Sequence, residues 1–484
     1  KHPPRGHAAR FPLYGRSDHD GAGAPARGSV ESTAEEKRVI KAMHSFPAGF
    51  LWGTATAAHQ VEGDNRSNDW WAWEEMPGKI LQGHRSGRAC EWWRGRWGED
   101  FDRAAGAGQN AHRLSVEWSR IEPGPAVWDE TALDVYRQIV QGAVDRGLTP
   151  MVTLHHFSNP LWIAEQGGWL NAAIVPQFER YVRKVVAALQ DLVQLWVTIN
   201  EPYVCCGSGY VTGKFPPGEK DVRKSIVAAG NMVKAHAAAY HAIHEVQPKA
   251  LVGLAHHYRG YRPANPHSPL DRWVARLHAA TVNEMVPNAL VDGRLRSLFG
   301  GERIPQAART QDYFGLNYYT VETMAFDPKR PGELFSRGFY PEGSDLSPTG
   351  FIANEPLGLW TALTWAHRFG LPIYITENGV EDDKDTLRPR YLAAHIRQMW
   401  RAVNFTWPVR GYFHWSLVDN FEWERGWTQR FGLWELDLQT QERRKRPSAD
   451  LYADICKQNA LSSEMVATYA PEILEEMFPG RAGG

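Results

Sequence analysis

Two short runs of the chain share one pattern, and this pattern most limits how the chain can fold. LWVTINEP occupies residues 195–202 and PIYITENG occupies residues 372–379. Each run is mostly apolar, rich in β-branched and aromatic residues, and closes with a glutamate and a turn signal, which is typical of a buried strand. We therefore expect Glu201 and Glu377 at the carboxyl ends of two strands, where parallel α/β folds bind ligands. Two such acids at one mouth are the minimum for acid/base or nucleophilic chemistry on an acetal.

Buried strand candidates alternate with helical stretches from residue 46 onward. The candidate strands are 50–56, 112–116, 150–154, 195–200, 250–255, 313–317, 372–376 and 410–415. The candidate helices are 99–107, 129–146, 172–189, 222–246, 271–285, 357–369, 389–403 and 447–459. This order predicts the α/β class and a single (β/α)8 TIM barrel with long βα loops at residues 43–460. An open doubly wound sheet is the alternative, but no Gly-x-Gly-x-x-Gly follows the first strand.

Three segments differ from this alternation. Residues 1–42 are rich in Gly, Ala, Pro, Arg and His without an apolar period, so we expect a disordered, non-native tail with Met43 as the natural start. Residues 323–356 form a long Gly-, Pro- and Ser-rich connection, which is typical of a functional or disordered loop. Residues 461–484 form a C-terminal tail with a helix-like stretch at 463–478.

The composition argues against several classes of function. The net charge of −1 gives no electrostatic reason to bind nucleic acid or an anionic membrane, and no apolar run is long enough to span a bilayer. The four cysteines match no metal spacing, so we expect reduced thiols, a cytoplasmic location, no metal and no cofactor. The 21 tryptophans suit either a carbohydrate ligand or a large aromatic core. The sequence leaves the oligomeric state open.

Polar and aromatic residues follow most of the strand candidates. In a barrel these strand ends converge on one mouth, so the residues there belong together. They are Gln60, Arg113, His155, His156, Asn200, Asn317, Tyr318, Tyr319, His414, Trp415, Glu422 and Trp423. Such a ring of hydrogen-bonding groups and aromatics around two carboxyl groups favours a neutral, polyhydroxylated ligand. The pair His256-His257 follows the fifth strand, and for it we favour packing over a place at the mouth.

Five motifs in order resemble those of glycoside hydrolase family 1, the family of β-glucosidases and β-galactosidases. They are FPAGFLWG at 46–53, TINEP at 198–202, NYY at 317–319, ITENG at 375–379 and WSLVDNFEW at 415–423. The resemblance covers residues 46–459. It implies a retaining β-glycosidase that hydrolyses terminal non-reducing β-D-glucosyl, and also galactosyl or fucosyl, residues. Its substrates would be small β-glycosides or cello-oligosaccharides.

The resemblance also implies roles for individual residues. Glu377 matches the nucleophile and Glu201 the acid/base. The substrate-binding positions are Gln60, His156, Asn200, Trp415, Glu422 and Trp423. The positions that support the nucleophile are Arg113, Asn317 and Tyr319.

The mechanism requires two carboxyl groups in different protonation states. We expect Arg113 and a tyrosine hydroxyl to keep Glu377 ionised, and the charge of Glu377 to keep Glu201 protonated. A retaining reaction predicts a separation of about 5–5.5 Å between them.

Three other functions are compatible with this scaffold. The sequence does not separate a hydrolase from a transglycosylase. Glu422 argues against a 6-phospho-β-glycosidase, because a carboxylate there would repel a phosphate. The presence of both carboxyl groups argues against a non-catalytic sugar-binding relative.

Overall fold

The computed structural model describes residues 41–298 and 300–479. The expected disordered tail at 1–42 falls outside these residues except for its last two positions, and so do residues 480–484 of the expected C-terminal tail.

Eight parallel strands form a closed barrel. Their order is β6-β7-β8-β1-β2-β3-β4-β5, and pairing between β5 and β6 closes the ring. The strands are β1 Leu51–Ala55, β2 Ala111–Ser115, β3 Thr149–Thr153, β4 Leu195–Asn200, β5 Leu251–Pro263, β6 Tyr313–Phe326, β7 Ile373–Asn378 and β8 Val409–His414. The predicted single (β/α)8 barrel is therefore confirmed.

A helix of at least ten residues follows each strand along the chain. These helices are α1 Trp97–Gly106, α2 Glu130–Val144, α3 Ile174–Leu189, α4 Val222–Val246, α5 Pro269–Ala279, α6 Pro356–His367, α7 Arg388–Asn404 and α8 Pro447–Gln458. Shorter helices are Ala58–Val61, Asp69–Glu74, Trp118–Ile121, Leu161–Glu165, Pro202–Gly207, Met285–Asp292, Ser463–Tyr469 and Leu474–Met477.

Burial explains why these residues form these elements. All six residues of β4 and of β7 are buried, which requires continuous rather than alternating apolar runs. The helix α3 buries Phe178, Val182 and Val185 on one face, at the spacing of an amphipathic helix. Each such side chain stabilises the fold by roughly 1.5–3 kcal/mol.

Two strands extend beyond their predicted ends. The strands β5 and β6 have 13 and 14 residues, and they pair with each other as far as Pro263 and Met324. Ser336–Phe339, from the predicted 323–356 connection, adds an antiparallel strand to β6. The apolar runs end near 255 and 317, but the backbone groups beyond them still satisfy each other across the pair.

The two ends of the described chain meet at the amino end of the barrel. Met43–Ser45 pairs with Ala460–Ser462, and the His44 ring stacks between Trp400 and Phe478 at centroid distances of 3.9 and 4.6 Å. The described part of the expected C-terminal tail therefore packs against the barrel. Two further hairpins join Arg294–Ser297 to Gly300–Arg303 and Trp434–Leu436 to Arg443–Lys445. Among the helices that the structure describes, none combines the length and hydropathy that a bilayer crossing requires.

Candidate active site

A cleft of about 270 Å³ opens at the carboxyl ends of the strands. Glu201 and Glu377 both line it, so the fold brings the two predicted acids to one mouth. Of the residues predicted to bind substrate, His156, Asn200, Trp415, Glu422 and Trp423 line the same cleft. Gln60 is fully buried next to this group and donates to Glu422 Oε2 through Nε2 at 3.1 Å.

Glu377 has a hydrogen-bond donor on each oxygen. Arg113 Nη1 lies 2.5 Å from Oε1, and the Tyr319 hydroxyl donates to Oε2 at 2.7 Å. Arg113 is fully buried on β2 and also donates to Thr376 O at 3.1 Å and to Asn200 Oδ1 at 2.6 Å. A guanidinium fixed on several sides holds the carboxyl group in one orientation.

Glu201 leaves β4 through a sharp bend. Its backbone is left-handed, with φ 43° and ψ 63°, and Pro202 opens the next helix, Pro202–Gly207. A non-glycine residue in this region costs about 1–3 kcal/mol, and such conformations cluster at functional sites. The Glu201 Oε1 atom accepts from Asn317 Nδ2 at 2.9 Å and lies 3.0 Å from His257 Nδ1.

Asn317 donates to Glu201 and not to Glu377, the carboxyl group beside which the resemblance placed it. Its backbone is in register with Glu377, but its amide donates to Asn200 Oδ1 at 3.1 Å and to Glu201. The reason is that Asn317 Oδ1 accepts from Thr376 Oγ1 at 2.6 Å, which turns the NH2 group away from Glu377.

One chain of hydrogen bonds sets the tautomer of His156. Asn200 Oδ1 accepts from Arg113, so its Nδ2 must donate to His156 Nε2, 3.0 Å away. The proton of the neutral ring then lies on Nδ1. His156 Nδ1 and Gln60 Oε1 are buried without a hydrogen-bond partner in the described part of the chain. A buried donor and a buried acceptor of this kind fit hydroxyl groups of a ligand.

Burial changes the protonation of the two central acids. It raises the pKa of the Glu377 carboxyl to about 7, aided by the charge of Glu201 and opposed by Arg113. Burial also raises the pKa of the Glu201 carboxyl. His257, Asn317 and Arg113 oppose this effect, and together they lower the pKa below its usual value. From the sequence we expected Arg113 and a tyrosine hydroxyl to keep Glu377 ionised. Burial outweighs these two groups, because it disfavours the charged form of the carboxyl group. In the empty cleft these directions place the proton that the two acids share on Glu377 rather than on Glu201, the reverse of what we expected from the sequence.

Glu422 is a third acid in the cleft, and it is half-buried. Burial raises the pKa of its carboxyl to about 8, and hydrogen bonds from Asn420 and Gln60 oppose this rise. Both donors reach Oε2, at 3.0 and 3.1 Å. Glu422 is therefore largely neutral below pH 8 in the empty cleft, whereas the sequence suggested an anion.

Sequence reasoning missed parts of the cleft wall. Phe157, Phe215 and Phe351 line it beside the predicted tryptophans. His257 lines it as well, although we favoured packing for this residue. Its neighbour His256 does pack, stacked on Phe314 with 4.4 Å between ring centroids. Strand alternation was the available signal, because adjacent residues of a strand point to opposite faces.

Comparison with known proteins agrees with this geometry. The model of glycosyl hydrolase family 1 matches residues 42–461. Beta-glucosidase A of Thermotoga maritima is 32% identical over 86% of this chain and 98% of its own length. A beta-galactosidase of Sulfolobus acidocaldarius is 32% identical over 87% of this chain and 97% of its own. The beta-glycosidase structure from Pyrococcus horikoshii superposes with a TM-score of 0.83 at 37% identity, covering 88% of this chain and 98% of that one. The chain therefore belongs to glycosyl hydrolase family 1 and is a β-glucosidase-like O-glycosyl hydrolase.

Proposed function

We propose that the enzyme is a retaining β-glycosidase that releases terminal non-reducing β-D-glucosyl residues, and also galactosyl or fucosyl residues, through a covalent glycosyl-enzyme. The observation that carries the proposal is the pair of buried carboxyl groups in one cleft, each held by a different set of donors. Glu377 is the proposed nucleophile and Glu201 the proposed acid/base.

In the first step the Glu377 carboxylate attacks the anomeric carbon. The bond from that carbon to the leaving oxygen breaks, and Glu201 gives its proton to this oxygen. The reactive microstate has the shared proton on Glu201. The donors Arg113 and Tyr319, one on each oxygen of Glu377, favour this microstate because they stabilise an anion there.

In the second step water releases the sugar. The ester has neutralised Glu377, so Glu201 loses its proton more readily and acts as a base. It takes a proton from water, the hydroxyl oxygen attacks the anomeric carbon, and Glu377 leaves as a carboxylate. Two inversions at one carbon give net retention.

The lining of the cleft supports a neutral sugar as the ligand. Gln60 Oε1 and His156 Nδ1 are the proposed partners of sugar hydroxyl groups, together with Asn200 and Glu422. Trp415 and Trp423 provide the aromatic surfaces against which the sugar ring packs. The carboxyl group of Glu422 supports an unphosphorylated sugar, because an ionised or neutral carboxyl offers a phosphate no positive charge.

Small β-glycosides or cello-oligosaccharides are the proposed substrates. The names of the relatives include both glucosidase and galactosidase, which supports a tolerance at the hydroxyl that distinguishes the two sugars. We place the enzyme in the cytoplasm, because its four cysteines are buried free thiols that suit a reducing compartment.

The decisive experiment combines Glu377→Ala with an external nucleophile. We expect Glu377→Ala to abolish turnover of an aryl β-glucoside. Azide added at high concentration fills the space left by the carboxyl group and restores turnover, with an α-glycosyl azide as product. The wild-type enzyme should release the β-anomer first, which proton NMR detects before mutarotation.

Glu381→Ala is the matched control. Glu381 is a buried acid four residues along the chain that accepts from Ser347 and Thr349 and does not line the cleft. We expect this variant to keep its activity and to show no response to azide. Full activity of Glu377→Ala, or an α-anomer as the first product of the wild-type enzyme, would refute the proposal.

A further inference from the structure

His257 lies beside the proposed acid/base on the neighbouring strand. Asn200 on β4 is in register with Ala255 on β5, and Glu201 N donates to Ala255 O at 2.8 Å. This pairing brings His257 Nδ1 to 3.0 Å from Glu201 Oε1, with the two side chains only 14% and 8% exposed. The contact is thus fixed by the barrel and largely sheltered from water.

The Oε1 atom of Glu201 has a second, unambiguous donor. Asn317 Oδ1 accepts from Thr376 Oγ1 at 2.6 Å, so the group that reaches Oε1 at 2.9 Å is the NH2 of Asn317. When Glu201 carries its proton, an oxygen that accepts from two donors is the carbonyl oxygen of the carboxyl group, because a hydroxyl oxygen there would direct its own hydrogen at one of them. The Oε2 atom accepts no hydrogen bond from the described residues.

We propose that His257 is a positioning residue: its ring donates through Nδ1 to Oε1 and, together with Asn317, places the transferable proton of Glu201 on Oε2. This inference rests on the proposed function, because it assigns Glu201 the role of acid. In the second step the same two donors stabilise the Glu201 carboxylate while Oε2 takes the proton of water. His257 therefore acts through Glu201 in both halves of the reaction.

Charged groups from several strands surround the contact between His257 and Glu201. Glu201 faces the His257 ring from β4, and Arg113, Glu377 and Tyr319 act on Glu201 from β2, β7 and β6. The cation two residues along β5, Arg259, is ion-paired with Glu322 at 3.0 Å. Glu377 has a guanidinium as its partner, whereas the donors of Glu201 are an amide and an imidazole. An amide and an imidazole orient the carboxyl group of Glu201 without a guanidinium beside it.

The test compares two substrates that differ in leaving group. A dinitrophenyl β-glucoside needs little protonation of its leaving oxygen, whereas an alkyl β-glucoside needs full protonation. We expect His257→Phe to lower kcat/KM about tenfold for the alkyl glucoside and less than about threefold for the dinitrophenyl glucoside, the scale of one lost hydrogen bond to a charged or reacting group. His257→Leu repeats the test without the volume of a ring.

The pH profile provides a second readout. The fall of kcat/KM at high pH reports the loss of the acid proton. His257→Phe should move this limb upward by about one pH unit, because the lost donor stabilised the carboxylate. His257→Asn keeps an N–H near the position of Nδ1, so we expect its rates and its basic limb to lie closer to those of the wild-type enzyme.

His256→Gln is the matched control. His256 is buried next to His257, but its Nε2 bonds to Gln311 Oε1 at 2.7 Å on the other face of β5. A loss of stability there should leave the selectivity for the leaving group unchanged. Equal losses on both substrates for His257→Phe and His257→Leu, with an unmoved basic limb, would overturn the inference. So would a His257→Asn variant as impaired as His257→Phe.

Glu201→Ala separates the inference from the proposed function. It should lose far more activity on the alkyl glucoside than on the dinitrophenyl glucoside. If Glu201→Ala shows no such selectivity, the proposed function fails. If Glu201→Ala shows it and His257→Phe does not, only the inference about His257 fails.

Discussion

Two half-buried amides at the amino end of the barrel and the polar groups of the cleft at its carboxyl end differ in how fully their hydrogen bonds are satisfied. At the amino end Asn459 Oδ1 accepts from Trp52 Nε1 at 2.8 Å, and its Nδ2 donates to the carbonyls of Phe46 and Pro47 at 2.9 and 3.0 Å. Asn110 binds the backbone of Trp52 and Phe50 at 2.8 and 3.0 Å. Both amides are therefore satisfied on their oxygen and their nitrogen, and Asn459 ties the end of α8 to the segment that leads into β1.

At the carboxyl end the polar groups are arranged for a ligand instead. Gln60 Oε1 and His156 Nδ1 have no partner in the described protein, burial raises the pKa of Glu377 and Glu422, and Glu201 has a left-handed backbone. Each of these features costs stability in the empty protein. The comparison shows that the amino end stabilises the fold, whereas the carboxyl end retains hydrogen-bonding capacity for the substrate. Substitutions at the two ends should therefore separate activity from stability.

We expect the largest difference between the effect on activity and the effect on stability at Glu377. We expect Glu377→Gln to lower kcat/KM on an aryl β-glucoside by roughly 10⁴-fold or more, because the covalent step loses its nucleophile. Its thermal midpoint at pH 7 should fall by only a few degrees, because the amide oxygen still accepts from Arg113 although this buried guanidinium loses its counterion. Steady-state kinetics and calorimetry check both parts. A midpoint lowered by many degrees would show that the carboxylate stabilises the fold.

Glu422→Gln should shift activity and stability in opposite directions. We expect a loss of about tenfold to a hundredfold in kcat/KM, the scale of one or two hydrogen bonds to the sugar. The pKa of Glu422 is raised to about 8, so the unfolded carboxyl ionises at lower pH than the folded one. The stability of the wild-type enzyme should thus fall as pH rises from about 4.5 to 8.

The Glu422→Gln variant has no carboxyl group at this position, so this fall of stability with rising pH is absent from it. At pH 7 it should be more stable than the wild-type enzyme by up to about 3 kcal/mol, and at pH 4 the difference should vanish. Denaturant titrations at the two pH values measure it. A variant that is less stable at pH 7 would contradict the comparison at this residue.

Some of this contrast could be predicted from the sequence. The continuous apolar runs of β4 and β7 indicated buried strands, and strand polarity then placed Glu201 and Glu377 at one mouth. The length of β5 and β6 could not be predicted, because it depends on a partner strand rather than on a local apolar pattern.

The finer contacts of the site also depended on tertiary structure. The sequence placed Asn317 at the mouth, but which carboxyl group its amide contacts depends on a hydrogen bond from Thr376. For His256-His257 the alternation of a strand shows that one ring faces the mouth, but only the register of β5 shows that it is His257. The pKa of Glu377 depends on how deeply the fold buries its carboxyl group, and this depth cannot be predicted from a sequence motif.

At the amino end, we expect Asn459→Ala to lower stability and to leave activity nearly unchanged, the opposite of the pattern expected for Glu377→Gln. The variant loses three hydrogen bonds and places alanine at φ 49°, so we expect a loss of about 2 kcal/mol in the free energy of unfolding. Its kcat/KM below the unfolding temperature should stay within about twofold of the wild-type value, because the residue is at the far end of the barrel. Asn459→Asp keeps the acceptor for Trp52 and should lose less. An activity that falls in parallel with stability would show that the two ends are coupled.

The smallest expected effect concerns His44, the ring stacked between Trp400 and Phe478 at the same end. Burial, and then the charge of Arg397, lower the pKa of His44 to about 4. The unfolded ring takes a proton near pH 6.5 and the folded ring does not, so stability falls as pH drops from about 6.5 to 4. We expect His44→Phe to remove about 1 kcal/mol of this loss at pH 5, a value reduced for solvent screening, and to leave activity at pH 7 unchanged. Other buried histidines add to the slope in both proteins, so the difference between variant and wild type isolates His44. Unfolding free energies at pH 7 and pH 5 provide the measurement, and equal losses in the two proteins would show that this amino-end contact tolerates a charged ring.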